Sequence, residues 1–320
     1  MKKVLVTGAN GFVGSHLVEL LKHDFEVYRL DKTASTTQHD RLIICDITQP
    51  SSIENALKDL EFDFVVHCAA IAHNDDKAFS DEDFVKVNVS GTENMVQYFA
   101  DKSLKLFVLF STIAVYGERN YSGEVSEQHM LRPCAIYAKS KVLAEQACLG
   151  NPDFPATVLR FPPIYSRNFL KDLCKRISPM TDRFRIQIGE GRNRYSLCAV
   201  KNACDAVRFV LQHPEATVRR VFNVTDPEEY DHTQLLQQLE LIIGHRPCVR
   251  MPRAVVRAFA ELIGFFLRGK REQLRSYYWK LAEDNVYSSR ALRKLGFDPT
   301  MTLFELTQQQ TSSKDSRNGW

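Results

Sequence analysis

The sequence of 320 residues has no uninterrupted apolar stretch long enough to span a bilayer, which argues against a transmembrane helix. Its eight cysteines include no Cys-x-x-Cys pair, so neither a disulfide framework nor a zinc site is indicated. The nine histidines show no spacing typical of metal ligands. Strand-like residues begin almost at Met1, which leaves no room for a signal peptide. We therefore expect a cytoplasmic protein with reduced cysteines and no bound metal.

The sequence also lacks a strong net charge, but its charges are unevenly placed. The formal charge is +3, whereas residues 246–294 contain twelve Lys/Arg and four Asp/Glu, a local excess of +8 that leaves −5 elsewhere. A basic segment would suit an anionic ligand such as a nucleotide diphosphate. A solvated basic surface would produce the same bias. No nucleic-acid-binding motif accompanies it, and we expect no nucleic-acid partner.

A glycine-rich turn follows the first apolar strand, residues 2–6, and leads into a helical run. This strand–turn–helix context is the one in which glycines indicate dinucleotide binding. Gly8 would allow the tight turn, Gly11 would let the backbone approach a pyrophosphate, and Gly14 would let the helix pack closely on the strand. The first turn of the helix would face the phosphates. The predicted contacts from this segment are Gly8, Asn10, Gly11, Phe12, Val13 and Gly14.

The ends of the next strands carry further candidate cofactor contacts. Asp31 ends the second strand about twenty residues past the glycines, where a carboxylate binds a ribose 2′-hydroxyl and repels a 2′-phosphate. This favours NAD over NADP, although the neighbouring Arg29 and Lys32 would weaken the preference. Ala69 and Ala70 follow the fourth strand, where small residues leave room for a flat ring or serve ordinary packing.

Tyr137 and Lys141 are spaced i, i+4 in a helix-forming run, which places a phenol and an ammonium one turn apart on one helix face. A tyrosine ordinarily loses its proton only near pH ~10, and a neighbouring cation favours the phenolate. Thr112, at the end of the fifth strand, could hold the oxygen of an alcohol or ketone. These three groups suit proton exchange with a carbinol during hydride transfer. A solvated helix face would show the same Tyr-x-x-x-Lys spacing by chance.

Several short motifs, and the order in which they follow one another along the chain, resemble those of the extended short-chain dehydrogenase/reductase family, in its NAD-dependent epimerase/dehydratase branch. They are Thr7 to Gly14, Asp46-Ile47, Ala69-Ala70, Asn88 to Thr92, Ser111 to Gly117, and Tyr137 to Lys141. The resemblance implies a doubly wound parallel α/β Rossmann sheet with a smaller C-terminal substrate-binding lobe. The alternation of strands and helices in the first half independently predicts βαβ units and a parallel sheet.

The resemblance also assigns roles to individual residues. It implies that Tyr137 is the acid/base, that Lys141 binds the nicotinamide ribose, and that Thr112 contacts the reacting oxygen. Further implied cofactor contacts are Asp46 and Ile47 beside the adenine, Asn88 as a support from the fourth helix, and Phe161 and Pro162 after the sixth strand. Implied substrate contacts are His73, Asn168 and Arg194. Such proteins commonly form homodimers through the helices that here carry Asn88 and Tyr137.

The sequence departs from the family pattern where substrate phosphates are normally bound. Pro163 replaces an asparagine and has neither an amide side chain nor a backbone donor, so that contact is not carried over. By register the usual arginine is Tyr195, with Arg194 one place earlier, and a one-residue shift in a strand points a side chain to the opposite face.

The expected domains are residues 1–165, with 191–224 returning to them, as the Rossmann NAD-binding domain, and 166–190 with 225–320 as the substrate lobe. Within this lobe, residues 253–267 are apolar except for Arg253, Arg257 and Glu261. A lid or core helix is the expected role of this run. Contact with a membrane surface, aided by the basic residues that follow, is the alternative, and no firm membrane association is expected.

The residues after Thr112 bear on the reaction. Sugar dehydratases of this family carry Asp-Glu there, whereas this chain has Ile113-Ala114, which can neither donate nor accept a proton. The favoured activity is an NAD-dependent epimerase that acts by reversible hydride transfer on a nucleotide sugar, with a UDP-linked sugar as the expected substrate. The alternatives are a 4-keto nucleotide-sugar reductase, a dehydrogenase or reductase acting on a sterol-like or other carbonyl compound, and a non-catalytic NAD-binding protein.

Overall fold

The computed structural model describes residues 1–34, 41–72, 78–117, 121, 123–170, 173, 177, 184–245, 247–266 and 271–307. By their internal contacts these residues form two compact units. Unit 1 comprises residues 1–115, 135–160 and 204–222, and unit 2 comprises residues 116–134, 161–203 and 223–320.

A seven-stranded sheet forms the centre of the fold. Its strands are β1 (Lys3–Thr7), β2 (Glu26–Asp31), β3 (Leu42–Ile44), β4 (Phe64–His67), β5 (Leu106–Thr112), β6 (Ala156–Phe161) and β11 (Val221–Asn223). They are arranged in the order β11-β6-β5-β4-β1-β2-β3. The pairs β1–β2, β1–β4, β2–β3 and β4–β5 are parallel. The expectation of a Rossmann-type parallel sheet is confirmed.

The strands β1, β2 and β3 follow one another towards one edge of the sheet, whereas β4, β5 and β6 follow one another towards the other edge. The chain therefore changes direction across the sheet between β1 and β4, which are neighbours. In open α/β sheets, ligands bind beyond the carboxyl ends of the strands at such a point. The glycine turn follows β1, and Ala69 and Ala70 follow β4. The sheet topology therefore brings the first and fourth strand ends together at one edge.

Helices connect the strands of unit 1. They are α1 (Phe12–Leu21), α2 (Pro50–Leu57), α3 (Asp81–Phe84), a π-helical segment (Val85–Ser90), α4 (Gly91–Phe99), α5 (Ile136–Gly150), α6 (Val200–Gln212, which begins in unit 2) and α7 (Pro214–Thr217). All four residues of β4 are buried, and so are the first six of β5. Strands covered on both faces are expected to be continuously apolar, and these two are so apart from His67 and Ser111 near their carboxyl ends.

Unit 2 contains short strand pairs and further helices. Its strands β7 (Ile164–Tyr165), β8 (Arg185–Ile188), β9 (Arg194–Tyr195), β10 (Cys198–Ala199), β12 (Tyr230–Asp231) and β13 (Cys248–Met251) pair as β7–β10, β8–β13 and β9–β12. Its helices are α8 (His232–Ile243), α9 (Arg253–Phe266), α10 (Arg271–Ala282) and α11 (Arg290–Arg293). Two 3₁₀ segments lie at Ile113–Tyr116 and at Arg167–Phe169.

A buried carboxylate organises the interior of unit 2. Asp226 accepts hydrogen bonds from the hydroxyls of Tyr165 and Tyr230 at 2.6 and 2.9 Å. It also accepts from the Ala199 backbone and the Asn202 side chain. Burial raises the pKa of Asp226 to about 6, although these hydrogen bonds act in the opposite direction. The four donors offset much of the cost of burying the carboxyl group.

The contact-based division places residues 116–134, 161–165, 191–203 and 223–224 in unit 2, whereas the expected domains assign them to the Rossmann domain. Contacts between distant parts of the chain explain part of this difference in domain boundaries. For example, Tyr116 donates a hydrogen bond to Asn223, and sequence spacing does not indicate such a pairing. Among the described residues, no helix is both long enough and apolar enough to cross a membrane.

Candidate active site

The glycine turn after β1 depends on close backbone approaches. Gly8 has a φ of +65°, and a Cβ there would lie 2.8 Å from the Ala69 backbone. A Cβ on Gly14 would lie 2.1 Å from the Gly8 carbonyl oxygen. Gly11 occupies the N-cap of α1 and provides no side-chain cap. The first-turn amides of a helix have no partner within the helix, so this end of α1 suits an anionic group.

Asp31, at the end of β2, is tied directly to this turn. Its Oδ2 accepts a hydrogen bond from the Asn10 backbone N–H at 2.9 Å. The Asn10 side chain in turn donates to the Thr33 carbonyl and accepts from Arg29. Lys32 forms an ion pair of 3.0 Å with Asp46. Arg29 and Lys32, the two cations beside Asp31, are therefore paired with other groups. The Asp31 carboxylate is then the charge that is expected to favour NAD over NADP.

Asp46 and Ile47 follow β3. Burial acts to raise the pKa of Asp46, but hydrogen bonds from Thr48 and the ion pair with Lys32 outweigh it, so the pKa is lowered. Ile47 packs so closely on α4 that a Cβ on Gly91 would come within 2.8 Å of its side chain. Asn94 also donates to the Ile47 carbonyl at 2.9 Å. The segment expected beside the adenine is held in place from α4.

A buried neutral histidine connects the end of β4 with the helices behind it. The Ala69 N–H donates to the Thr7 hydroxyl at 3.2 Å, and that hydroxyl lies 2.8 Å from His67 Nδ1. His67 Nε2 lies 3.1 Å from the Thr92 hydroxyl, which donates to the Asn88 carbonyl at 2.7 Å. Because the Thr92 hydroxyl already donates to Asn88, it accepts a hydrogen bond from His67, so the proton of the neutral imidazole is on Nε2. Nδ1 then accepts a hydrogen bond from the Thr7 hydroxyl. Burial, with a smaller effect of the Lys141 charge, lowers the pKa of His67 to about 3.

Asn88 lies in the π-helical segment, is 1% exposed, and joins two parts of the site. Its side-chain oxygen accepts from the Ile71 N–H at 2.8 Å, and its amide donates to the Ile71 carbonyl at 3.0 Å. The same amide donates to the Ser140 hydroxyl at 3.0 Å, and Ser140 donates to the Tyr137 carbonyl at 2.8 Å. Asn88 thus links the segment after β4 to the helix that carries the predicted acid/base.

Tyr137 and Lys141 lie one turn apart on α5, as their spacing predicts. Tyr137 is half-buried, whereas Lys141 is 3% exposed. Burial lowers the pKa of Lys141 to about 8, and the nearby Cys68, Glu145 and Cys148 oppose this effect. A lysine with this pKa is mostly protonated at pH ~7 and supplies a weakly hydrated positive charge one turn from the phenol.

The end of β5 is fixed to α5 and β6 by a buried ion pair. Ser111 donates to Glu145 at 2.5 Å, and Arg160 binds the same carboxylate through Nε at 2.9 Å and through a terminal nitrogen at 2.6 Å. Thr112, the next residue along, is half-buried, and its hydroxyl accepts from the Ala114 N–H at 3.2 Å. This network positions the strand end from which Thr112 projects.

The residues of unit 1 fit a bound NAD. The uncapped start of α1 would hold the diphosphate, with Gly8, Asn10, Gly11, Phe12, Val13 and Gly14 forming the surrounding turn. Asp31 would bind the adenosine ribose, Asp46 and Ile47 would lie beside the adenine, and Ala69 and Ala70 would lie along the dinucleotide. Lys141 would bind the nicotinamide ribose. Each of these roles remains a prediction.

The remaining predicted contacts belong to unit 2 or lie outside the described residues. Phe161 and Pro162 are buried, and Asn168 is exposed in its 3₁₀ segment. Arg194 is exposed and forms ion pairs with Glu229 at 2.6 Å and Asp284 at 3.3 Å. A substrate phosphate would have to compete with these two carboxylates. His73 lies outside the described residues.

Sequence reasoning missed several residues that support the site. Thr7, His67, Thr92 and Ser140 all belong to the hydrogen-bond networks around Asn88 and the end of β4. Ser140 could have been found, because it lies within the Tyr137–Lys141 turn and faces inward at i+3 from Tyr137. The partners of His67 are distant in sequence, so no local pattern could have indicated them.

The fold and the arrangement of these residues are those of a Rossmann dinucleotide-dependent enzyme. The chain belongs to the NAD dependent epimerase/dehydratase family, whose model matches residues 4–225. This match confirms the resemblance, the enzyme class and NAD as the cofactor expected from the sequence.

The chain is also similar to individual relatives. It is 27% identical to the N-acetyl-alpha-D-glucosaminyl-diphospho-ditrans,octacis-undecaprenol 4-epimerase of Escherichia coli O157:H7, over 78% of this chain and 75% of that protein. It is 27% identical to the UDP-glucose 4-epimerase of Vibrio cholerae, over 82% and 83% of the two chains. A crystal structure of a short-chain dehydrogenase/reductase superfamily protein from Agrobacterium tumefaciens with bound NAD superposes with a TM-score of 0.72, at 19% identity over 98% and 99% of the chains.

Proposed function

We propose that this protein is an NAD-dependent nucleotide-sugar 4-epimerase that acts by reversible hydride transfer at a sugar carbinol. The observation that carries the proposal is the pairing of Tyr137 with the buried Lys141 one turn away on α5. A buried lysine whose pKa is lowered to about 8 by desolvation is typical of a functional site. Thr112 at the end of β5 completes the set of groups that the reaction needs.

The proposed chemistry assigns one task to each side chain. NAD, when bound, supplies the acceptor and then the donor of the hydride. Tyr137 takes the proton of the sugar hydroxyl as the carbinol hydrogen leaves, and it returns that proton when the resulting ketone is reduced on its other face. Lys141 stabilises the phenolate by its charge. The Thr112 hydroxyl donates a hydrogen bond to the reacting oxygen. Protons and electrons balance over the cycle, and the cofactor is regenerated.

A 4-keto nucleotide-sugar reductase is the second candidate, because the same three side chains serve a single reduction. Ile113 and Ala114 support both candidates over a dehydratase, since neither side chain can act as an acid or a base. A sugar diphosphate as the substrate class is supported by the two relatives, one named for UDP-glucose and one for a sugar linked through a diphosphate to undecaprenol. We propose a UDP-linked sugar.

The test is incubation of the purified protein with a panel of UDP-sugars and their 4-keto forms, followed by chromatography and NADH absorbance. Interconversion of C4 isomers without a net change in NADH supports the epimerase, whereas stoichiometric loss of NADH would replace it with the reductase. Tyr137→Phe should abolish turnover with either substrate while the protein still binds NAD. Full activity in that variant would refute the assignment of the acid/base.

The proposal includes a homodimer formed through the segment that carries Asn88 and through α5. Val85 and Leu143 lie on these two elements, and their side chains are 40% and 44% exposed. Apolar side chains exposed on two adjacent helices are suited to helix packing across a two-fold axis. Sedimentation velocity measures the oligomeric state, and a monomer at all concentrations would remove this part of the proposal.

A further inference from the structure

A buried arginine lies on the strand that ends at Asp31. Arg29 occupies β2, two residues before Asp31, and is 5% exposed. Successive side chains of a strand point to opposite faces, and Tyr28 and Leu30 pack in an apolar core of unit 1. Arg29 and Asp31 therefore share the other face of β2.

The charge of Arg29 has no acidic partner. Among the described residues, no carboxylate lies within ion-pair distance of its guanidinium, and Glu26 on the same strand is paired with Arg41. Within the same part of the chain, the Nε and Nη1 atoms of Arg29 are buried without a hydrogen-bond partner. Burying a charge without a counter-charge costs free energy, and an apolar side chain of similar volume is often at least as stabilising. The stability of the fold therefore does not explain an arginine at this position.

The third nitrogen of the guanidinium indicates what the arginine does. Nη2 of Arg29 donates a hydrogen bond of 2.8 Å to the side-chain oxygen of Asn10 in the glycine turn. The side-chain nitrogen of Asn10 donates to the Thr33 carbonyl at 2.8 Å. Both ends of this amide are thus used, and a flipped amide would place its own N–H groups against the guanidinium. The Asn10 side chain is therefore fixed in one orientation between Arg29 and Thr33.

Asn10 also holds the Asp31 carboxylate. The backbone N–H of Asn10 donates to Oδ2 of Asp31 at 2.9 Å. The other carboxylate oxygen accepts from the backbone and the hydroxyl of Thr33 at longer distances, 3.3 and 3.5 Å, which indicate weaker hydrogen bonds. The orientation of Asp31 thus depends chiefly on the position of Asn10, and that position depends on Arg29. These contacts lead from a buried charge to the carboxylate that is predicted to bind the adenosine ribose.

We propose that Arg29 is a positioning residue for cofactor selection. By holding Asn10, it keeps Asp31 in the orientation that binds the ribose hydroxyls of NAD and opposes the 2′-phosphate of NADP. This effect is opposite to the one expected from the sequence, in which the charge of Arg29 would weaken the preference for NAD. The proposal rests on the predicted contact of Asp31 with the ribose and is independent of the proposed epimerase activity.

The test is isothermal titration calorimetry of the full-length protein with NAD and with NADP. Arg29→Met should weaken NAD binding roughly 10-fold and lower the preference for NAD over NADP by a similar factor, because a hydrogen bond to a charged group is lost. Arg29→Lys should retain most of the NAD affinity, since only one of the three nitrogens is used and no planar fork is required. Arg41→Met is the matched control, because it removes an exposed arginine just before β3, and it should bind both dinucleotides as the parent does.

Two further measurements separate positioning from general damage to the fold. Asn10→Ser should lower the preference for NAD as Arg29→Met does, and the double variant should show no further loss, because both changes break the same series of contacts. Urea unfolding of cofactor-free Arg29→Met should have a midpoint no lower than that of the parent protein, since the charge that is removed has no counter-charge. A purely structural arginine would instead lower that midpoint.

The proposal is overturned if Arg29→Met leaves both affinities unchanged, or if it increases the preference for NAD, because Arg29 would then attract the 2′-phosphate directly. It is also overturned if the effects of Arg29→Met and Asn10→Ser add, or if Arg29→Met lowers the unfolding midpoint and weakens both dinucleotides equally. If Asp31→Asn does not change the preference, the contact of Asp31 with the ribose is wrong and the proposal fails with it. The epimerase assignment, which depends on Tyr137, would be unaffected by that result.

Discussion

The burial of Lys141 should make helix α5 a source of instability. The pKa of this lysine is about 8 in the folded protein and 10.5 in a model peptide. A difference of 2.5 pKa units at ~1.4 kcal/mol each corresponds to a loss of about 3 kcal/mol of folding stability at pH 7, where the unfolded chain holds the proton more tightly. Replacing Lys141 with methionine, which is neutral and of similar volume, should recover most of this free energy.

The pH dependence has a definite sign. Between the folded and unfolded pKa values the unfolded state binds more protons, so the stability of the parent protein rises with pH. The advantage of Lys141→Met should therefore be constant below about pH 7 and should fall to about half of that value by pH 9.5. Urea unfolding of the cofactor-free protein in the presence of a thiol reductant, followed by circular dichroism at several pH values, measures both quantities.

Lys139→Met provides the matched control, because Lys139 is exposed on the same helix. Its effect should stay within about 0.5 kcal/mol and should not depend on pH. Lys141→Met should also lose turnover by at least ~100-fold, since the phenolate of Tyr137 would lack its neighbouring charge. A Lys141→Met protein that is no more stable than the parent at pH 7, or whose advantage does not change with pH, would refute the reasoning.

Three further predictions concern the groups around this helix. The pKa of His67 is about 3 in the folded protein, so the contribution of this residue to stability is complete above pH ~6.5 and decreases below it. In urea unfolding between pH 7 and pH 5, the parent protein should therefore lose about 2 kcal/mol more stability than His67→Gln. Equal losses in the two proteins would contradict a neutral, buried histidine. Asp31→Asn should raise the affinity for NADP relative to NAD roughly 10-fold in fluorescence titrations, because it removes the charge that repels a 2′-phosphate, and an unchanged ratio would exclude Asp31 from cofactor selection. Arg160→Met should lower the free energy of unfolding by about 3–5 kcal/mol, because it leaves the Glu145 carboxylate buried without its partner. Adding Glu145→Gln to that variant should recover much of the loss, and full additivity of the two changes would argue against the ion pair.

The parts of the fold that could be predicted from the sequence are those determined locally. A short apolar strand, a turn whose glycines permit backbone approaches, and the following helix are all encoded within residues 3–21. The i, i+4 spacing of Tyr137 and Lys141 likewise follows from helix geometry alone. The alternation of strands and helices was sufficient to predict a parallel sheet, because few connections between such elements are allowed.

The environment of these residues depends on contacts between distant parts of the chain and could not be predicted. The burial of Lys141 results from the packing of α5, and the Glu145–Arg160 pair joins two elements by a contact that no spacing rule indicates. The ion pairs of Arg194 with Glu229 and Asp284 come from the same kind of long-range contact. The apolar pattern of α9 was visible in the sequence, but the side of the helix that faces solvent was not.

The π-helical segment Val85–Ser90 has a consequence for how this site tolerates change. One extra residue per turn sets the direction in which Asn88 points, so its contacts with Ile71 and Ser140 depend on the number of preceding residues more than on their identities. Deleting a single position before Asn88 would rotate its amide by about 100° around the helix axis. The half-buried backbone groups of Ile71 would then lose both of their hydrogen bonds to Asn88. Point substitutions at the exposed positions of the segment should be far less damaging than a one-residue deletion.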